Sequence, residues 1–206
     1  MPALRFCSGA IARPMHRIQA LLFDLDGTLV DTSEANYTAY SQALAEFGVA
    51  IEPRAIAARA ADRQWREFLP ELLRDAAVDA DPARIAHRKG ELYRTAIGGV
   101  RVNRALLGLA AAVRPMIRTA LVTTASAGNV SAIMAHFGME ALFDVVITGD
   151  DVVRHKPDPE AYRVAAERLS VPADACLAFE DSDAGAASAV AAGMAVVRVR
   201  FTEATP

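Results

Sequence analysis

The stretch Ile18-Gln-Ala-Leu-Leu-Phe-Asp-Leu-Asp-Gly-Thr-Leu-Val-Asp-Thr32 decides how the rest of the 206-residue chain is read. Ile18 to Phe23 is a short apolar run that stops at Asp24, the pattern of a strand buried on both faces. Four more such runs follow, at Thr119–Thr123, Phe143–Ile147, Cys176–Phe179 and Ala195–Val199. Helical stretches separate the last four. Ser126 is placed to cap one that runs to Phe137 and stops at Gly138. Asp158-Pro159 opens a second in N-cap and N1 roles, and Ser182 caps a third that ends at Gly193. Strand and helix in alternation mean parallel strands joined by crossover helices.

The interval from Thr32 to Arg114 reads differently, with several helical stretches and no convincing strand. Tyr37, Tyr40, Leu44 and Phe47 recur at three- and four-residue steps until Gly48, and Asp81-Pro82 opens a helix through Ile85, Lys89 and Leu92. Gly98-Gly99 reads as a hinge. The expected fold class is therefore α/β, a Rossmann-like parallel sheet core with an inserted all-helical cap. The core is expected over 18–32 and 110–206 and the cap over 33–109. Residues 1–17 carry no acid and no clear period, and are expected to be a disordered N-terminal extension with Met15 as the working start.

Composition removes several function classes. Hydrophobic residues make up 53% of the chain and charged residues 23%, enough to bury a core, so global disorder is excluded. The net charge is −3, which offers nothing to a nucleic-acid backbone or an anionic membrane. No apolar stretch reaches the ~20 residues of a membrane span. Cys7 and Cys176 cannot form a disulfide framework, which points to the cytoplasm. Of the 22 basic residues only Lys89 and Lys156 are lysines, so a lysine in a chemically useful place carries extra weight.

In open parallel sheets ligands bind beyond the carboxyl ends of the strands. Just past the apolar runs stand Asp24 and Asp26, then Thr124, then Glu180 and Asp181. Lys156 lies in the loop His155-Lys-Pro-Asp-Pro159. Several carboxylates in one pocket repel each other unless a cation joins them, and all-oxygen donors beside phosphate favour Mg²⁺. Lys156 adds a fixed positive charge. Thr124 offers a hydroxyl to a phosphoryl oxygen, with Thr123 as the register alternative. The helix starting near Ser126 aims backbone N–H groups at an anion. Asp24, held at the strand end, suits attack on phosphorus, and Asp26 suits proton transfer to and from the leaving and attacking oxygens.

These segments resemble the haloacid dehalogenase-like hydrolases with a helical cap, the branch of phosphoglycolate phosphatase and β-phosphoglucomutase. The resemblance rests on Phe23-Asp-Leu-Asp-Gly-Thr-Leu-Val-Asp-Thr32, Ala120-Leu-Val-Thr-Thr-Ala-Ser126, Lys156-Pro-Asp-Pro159 and Phe179-Glu-Asp-Ser-Asp-Ala-Gly185, and covers about residues 18–200. It implies Asp24 as nucleophile, Asp26 as acid/base, and Thr124 and Lys156 as phosphate-binding residues. It also implies a Mg²⁺ site from Asp24, the Asp26 carbonyl and Asp181, with Glu180 as ligand or orienter. Asn36 stands where the related phosphoglucomutases carry a histidine. Arg63 and Trp65, with Arg59 and Arg66, fall where the family reads the non-phosphate part of its substrate. The only cap lysine, Lys89, is far along from the position used by the phosphonate-cleaving branch, which disfavours that chemistry. The expected function is a Mg²⁺-dependent phosphatase acting on a small phosphorylated metabolite, as a monomer or homodimer. A sugar phosphomutase and a catalytically silent phosphate-binding regulator are the alternatives.

Overall fold

A computed structural model of the chain describes residues 18–60, 63 and 65–201; the extension expected over 1–17 lies outside the described residues. Strand β1 (Ala20–Phe23) leads to a two-residue strand β2 (Val30–Asp31). Four helices follow, α1 (Ser33–Glu46), α2 (Pro53–Ala60), α3 (Trp65–Asp75) and α4 (Pro82–Ala96). The chain returns through β3 (Arg101–Val102) and α5 (Arg104–Val113). It then alternates through β4 (Arg118–Val122), α6 (Ala127–Phe137), β5 (Val145–Ile147), α7 (Glu160–Leu169), β6 (Cys176–Glu180), α8 (Asp183–Ala191) and β7 (Ala195–Arg198).

The five longer strands form one parallel sheet in the order β5-β4-β1-β6-β7. Strand β1 is central and wholly buried because its two faces serve two cores. Leu21 and Phe23 pack with Leu121 and Phe179 on one side, where the Phe23 and Phe179 rings stack with centroids 4.9 Å apart. Ala20 and Leu22 pack with Val122, Ile147 and Tyr162 on the other. Each such large apolar side chain contributes about 1.5–3 kcal/mol by leaving water. Phe23 is level with both Leu121 and Phe179, so β1, β4 and β6 end side by side. That register puts their terminal residues on one rim.

Between β2 and β3 the chain builds a separate apolar cluster, with Tyr40, Leu44, Ile56, Phe68, Leu69, Leu72 and Ile85 at its centre. Contrary to the expectation of an all-helical cap, the interval is not wholly helical: Arg101–Val102 pairs antiparallel with Val30–Asp31, and Arg101 bonds the Asp31 carboxylate. Two residues are too few to show a period of two, so nothing in the sequence marked this ribbon. Gly98 and Gly99 belong to a single 3₁₀ turn, Ile97–Gly99. Helix α5 points Ala110, Leu106 and Leu107 into the cluster around Phe23 and Leu121. Pro159 occupies the N-cap of α7 rather than N1, and the Asp158 carboxylate accepts the Glu160 N–H at 2.9 Å. No helix among the described residues is long and apolar enough to cross a membrane.

Candidate active site

The level strand ends bring the acids together. Asp24 follows β1 and Glu180 closes β6, with Asp181 next in line. Oxygen atoms of Asp24, Glu180 and Asp181 lie within 4.8 Å of one another. Lys156 enters from the loop before α7, and its amine donates to Asp24 Oδ1 at 2.7 Å, Glu180 Oε1 at 2.6 Å and the Val122 carbonyl at 2.9 Å. The Tyr162 hydroxyl donates to the same Glu180 Oε1. The sequence reading passed over Tyr162, because a tyrosine on an apolar helix face reads as core.

Electrostatics in this pocket follow from burial and like charge. Burial, and then the Asp24 carboxylate, lift Glu180 to about 7, against Lys156 and Tyr162, which act the other way. The same two causes lift Asp181 to about 6. Burial alone would lower the Lys156 amine, but Asp24 and Glu180 hold it above its ordinary value. Asp26 is raised chiefly by burial, opposed by the Thr32 hydroxyl, which donates to its Oδ1.

One cap residue that the sequence reading set aside joins this group. Helix α4 carries Lys89, 8% exposed, whose charge acts on Asp26. Its amine lies 4.8 Å from the Tyr40 ring centroid and 4.6 Å from that of Tyr93. Burial lowers it to about 8. Tyr93 in turn meets Thr32, the residue that holds Asp26.

The remaining expected residues are placed as follows. Thr123 is buried and its hydroxyl accepts the Ala125 N–H at 3.1 Å, while Thr124 is exposed on the rim. The start of α6 is not a fully open anion seat: Asp150 takes the Ala127 N–H at 2.8 Å. Asn36 is half-buried in the first turn of α1, just after Thr32. Arg63 is tied to Glu71 by two bonds of 2.7 and 2.9 Å and to Glu67 at 3.7 Å. Trp65 packs on the cap cluster with the Arg66 guanidinium 4.4 Å from its ring centroid. No described contact joins Arg63 or Trp65 to the acids.

The acidic set fits a divalent cation. Its donors are all oxygen, and two of its carboxyls are raised by burial and by the Asp24 charge, a cost that a bound cation would offset. The backbone also makes room for it. Gly27 has φ +82°, and a Cβ there would lie 2.0 Å from Asp181 Oδ2. A Cβ on Gly185 would lie 2.0 Å from Glu180 Oε2.

Comparison with known proteins agrees with this geometry. A family model described as haloacid dehalogenase-like hydrolase matches residues 21–199. The fructose-1-phosphate phosphatase YqaB of Escherichia coli is 30% identical over 185 residues, 90% of this chain and 98% of that protein. Protein CbbY of Cereibacter sphaeroides is 36% identical over 200 residues, 86% of this chain and 82% of that one. The crystal structure of CbbY from Rhodobacter sphaeroides in complex with phosphate matches with a TM-score of 0.81 at 30% identity, covering 90% of this chain and 87% of that one.

Proposed function

The chain belongs to the haloacid dehalogenase-like hydrolases, and we propose that it is a Mg²⁺-dependent phosphatase that frees inorganic phosphate from a small phosphorylated sugar in the cytoplasm. The observation that carries this reading is the convergence of Lys156 on Asp24 and Glu180 beside Asp181. Relatives point to the substrate class: one is named for fructose 1-phosphate, another for 6-phosphogluconate.

In this reading Asp24 Oδ attacks phosphorus and the ester oxygen leaves with a proton from Asp26. A water activated by Asp26 then cleaves the aspartyl-phosphate. Asp24, Asp181, Glu180 and the Asp26 carbonyl would hold Mg²⁺, which when bound offsets the repulsion between a carboxylate and a phosphoryl group. Lys156 orients Asp24 and supplies a compact positive charge. A threonine at the end of β4, Thr124 in the expected register, donates to a phosphoryl oxygen. The cap excludes bulk water and reads the sugar, with Asn36 nearest to the first motif and Arg63 and Trp65 further out.

The test is phosphate release from a panel of sugar phosphates, with and without Mg²⁺, by the unchanged chain and by Asp24→Asn. Full activity in Asp24→Asn overturns the assignment. Isomerised sugar phosphate in place of free phosphate would instead identify a mutase.

A further inference from the structure

A lysine ammonium has three N–H donors, and all three of those on Lys156 are used inside the protein, on Asp24 Oδ1, Glu180 Oε1 and the Val122 carbonyl. A phosphoryl oxygen that comes to Lys156 must therefore take the place of one of these acceptors. They are not equally replaceable. Asp24 is the group the phosphoryl must meet, so its bond belongs to the reacting arrangement. Val122 is backbone at the buried end of β4. Glu180 Oε1 is the acceptor that already has a second side-chain donor, the Tyr162 hydroxyl.

That second donor has no packing purpose. Tyr162 is fully buried, with Ala161, Ala165, Ala166 and Ile147 in the apolar cluster around it. A phenylalanine ring would fill the same volume without a hydroxyl that has to be satisfied. Glu180 is also fully buried, and its Oε2 has no partner among the described residues. Were Lys156 to turn away with no other donor and no cation present, the carboxylate would be left with both oxygens unpaired, a costly state in a dry site.

We propose that Tyr162 is a positioning residue that keeps Glu180 satisfied while Lys156 hands one donor to the phosphoryl group of the substrate. The proposal rests on the phosphatase reading above. It makes the exchange at Lys156 a swap between two oxygens of like charge, with the buried carboxylate held in place throughout. Without the hydroxyl, Lys156 stays committed to Glu180 and phosphate binds against that commitment.

Tyr162→Phe tests it, since the ring is kept and only the donor is lost. Binding of inorganic phosphate is measured by titration calorimetry without and with Mg²⁺, beside steady-state hydrolysis of an accepted ester. The dissociation constant for phosphate and KM are expected to rise roughly three- to tenfold, the worth of one hydrogen bond, with a smaller change in kcat. In a Glu180→Gln background, tested without Mg²⁺, the same change is expected to have no further effect on phosphate binding, because the charge that retains Lys156 is gone. Equal phosphate affinity in Tyr162→Phe overturns the proposal. So does an equal loss in kcat and KM that persists in the Glu180→Gln background, which marks a merely structural hydroxyl. Failure of the unchanged chain to bind phosphate or release it overturns the phosphatase reading, and this proposal with it.

Discussion

The Lys156 amine lies 2.7 Å from Asp24 Oδ1 although 132 residues separate them in the chain. Both side chains are nearly excluded from water, at 5% and 9% exposure. The pair therefore has two consequences, one for stability and one for chemistry. Removing a partner from a buried ion pair costs about 3–5 kcal/mol, because the other charge stays behind. Here the charge left behind would be carboxylates already crowded together. Lys156→Met is expected to melt roughly 10 °C lower in the metal-free state. Its phosphate release is expected to fall by about 10²–10³-fold even where it remains folded. Calorimetric melting and a phosphate-release assay check the two parts separately.

The acids predict how stability changes with pH. Glu180 and Asp181 stand near 7 and 6 in the folded chain, against 4.5 and 3.8 for the free groups, and Asp26 is also raised. The folded state therefore binds protons more tightly than the unfolded state. The stability gained is present at low pH and is lost as pH rises through the folded values. Metal-free protein is expected to lose stability from about pH 4 to about pH 7, between the unfolded and the folded values of these groups. Mg²⁺, which needs the ionised carboxylates, should restore more at the upper end of that range than at the lower. Melting temperatures in EDTA and in Mg²⁺ across the range provide the check, and a metal-free profile that rises towards about pH 7 would count against the buried acidic cluster.

Gly185 sits in α8, where alanine is ordinarily the better helix former by about 1 kcal/mol. The structure reverses that preference. A Cβ at 185 would lie 2.0 Å from Glu180 Oε2 and 2.1 Å from its Cδ, and Glu180 is fully buried and held at its Oε1 by Lys156 and Tyr162. Gly185→Ala is expected to lower stability by roughly 1–3 kcal/mol through overpacking and to weaken Mg²⁺ binding. A control at Gly128, where a Cβ would meet nothing within 4 Å, should show the ordinary gain in helix stability. Denaturant titration of both variants, with and without Mg²⁺, separates the clash from the propensity.

The sheet was legible because its strands are buried on both faces. Leu21, Leu22 and Phe23 read as an unbroken apolar run for that reason, and the residue that breaks the run, Asp24, marks the rim. The acids were legible for the same reason, since they stand where an apolar pattern stops, and Lys156 was legible because lysine is scarce in this chain. Tyr162 and Lys89 were not. Tyr162 lies inside an apolar helix face, and its value comes from one hydroxyl meeting Glu180 across the fold. Lys89 reaches Asp26 because α4 packs against α1 in the cap, a tertiary relationship that spacing along the chain does not encode. Arg63 shows a different limit of spacing. Its position suggested a substrate contact, but the acids that hold it, Glu67 and Glu71, lie four and eight residues on in the next helix. The ribbon of Val30–Asp31 with Arg101–Val102 is too short to leave any periodic trace.

Two hydroxyls at the end of β4 divide a second question. Thr123 is 2% exposed and holds the Ala125 N–H, whereas Thr124 is exposed. With Thr124 as the phosphate donor, Thr124→Val is expected to raise KM about three- to tenfold at little cost in stability. Thr123→Val is then expected to act on stability, by about 1–3 kcal/mol, through the lost partner of Ala125. Kinetics and melting of the two variants decide it: a rise in KM confined to Thr123→Val moves the phosphate contact one residue back.

Lys89 is a buried amine held over two tyrosine rings, with no carboxylate at ion-pair distance among the described residues. Burial has already lowered it to about 8, which shows what its charge costs the folded chain. Its nearest electrostatic partner is the Asp26 carboxyl, and that attraction is too weak to cancel the burial. Methionine has a similar length and no charge to desolvate. Lys89→Met is therefore expected to be neutral or stabilising, as buried charges replaced by apolar groups often are. Activity should move the other way, with kcat/KM down about tenfold or more, because one of the two cations acting on Asp26 has gone. A melting curve and a kinetic assay on the same preparation test the opposition directly. Loss of stability in Lys89→Met would show that the amine is a structural part of the cap, and unchanged kcat/KM would show that its charge does not reach the reaction.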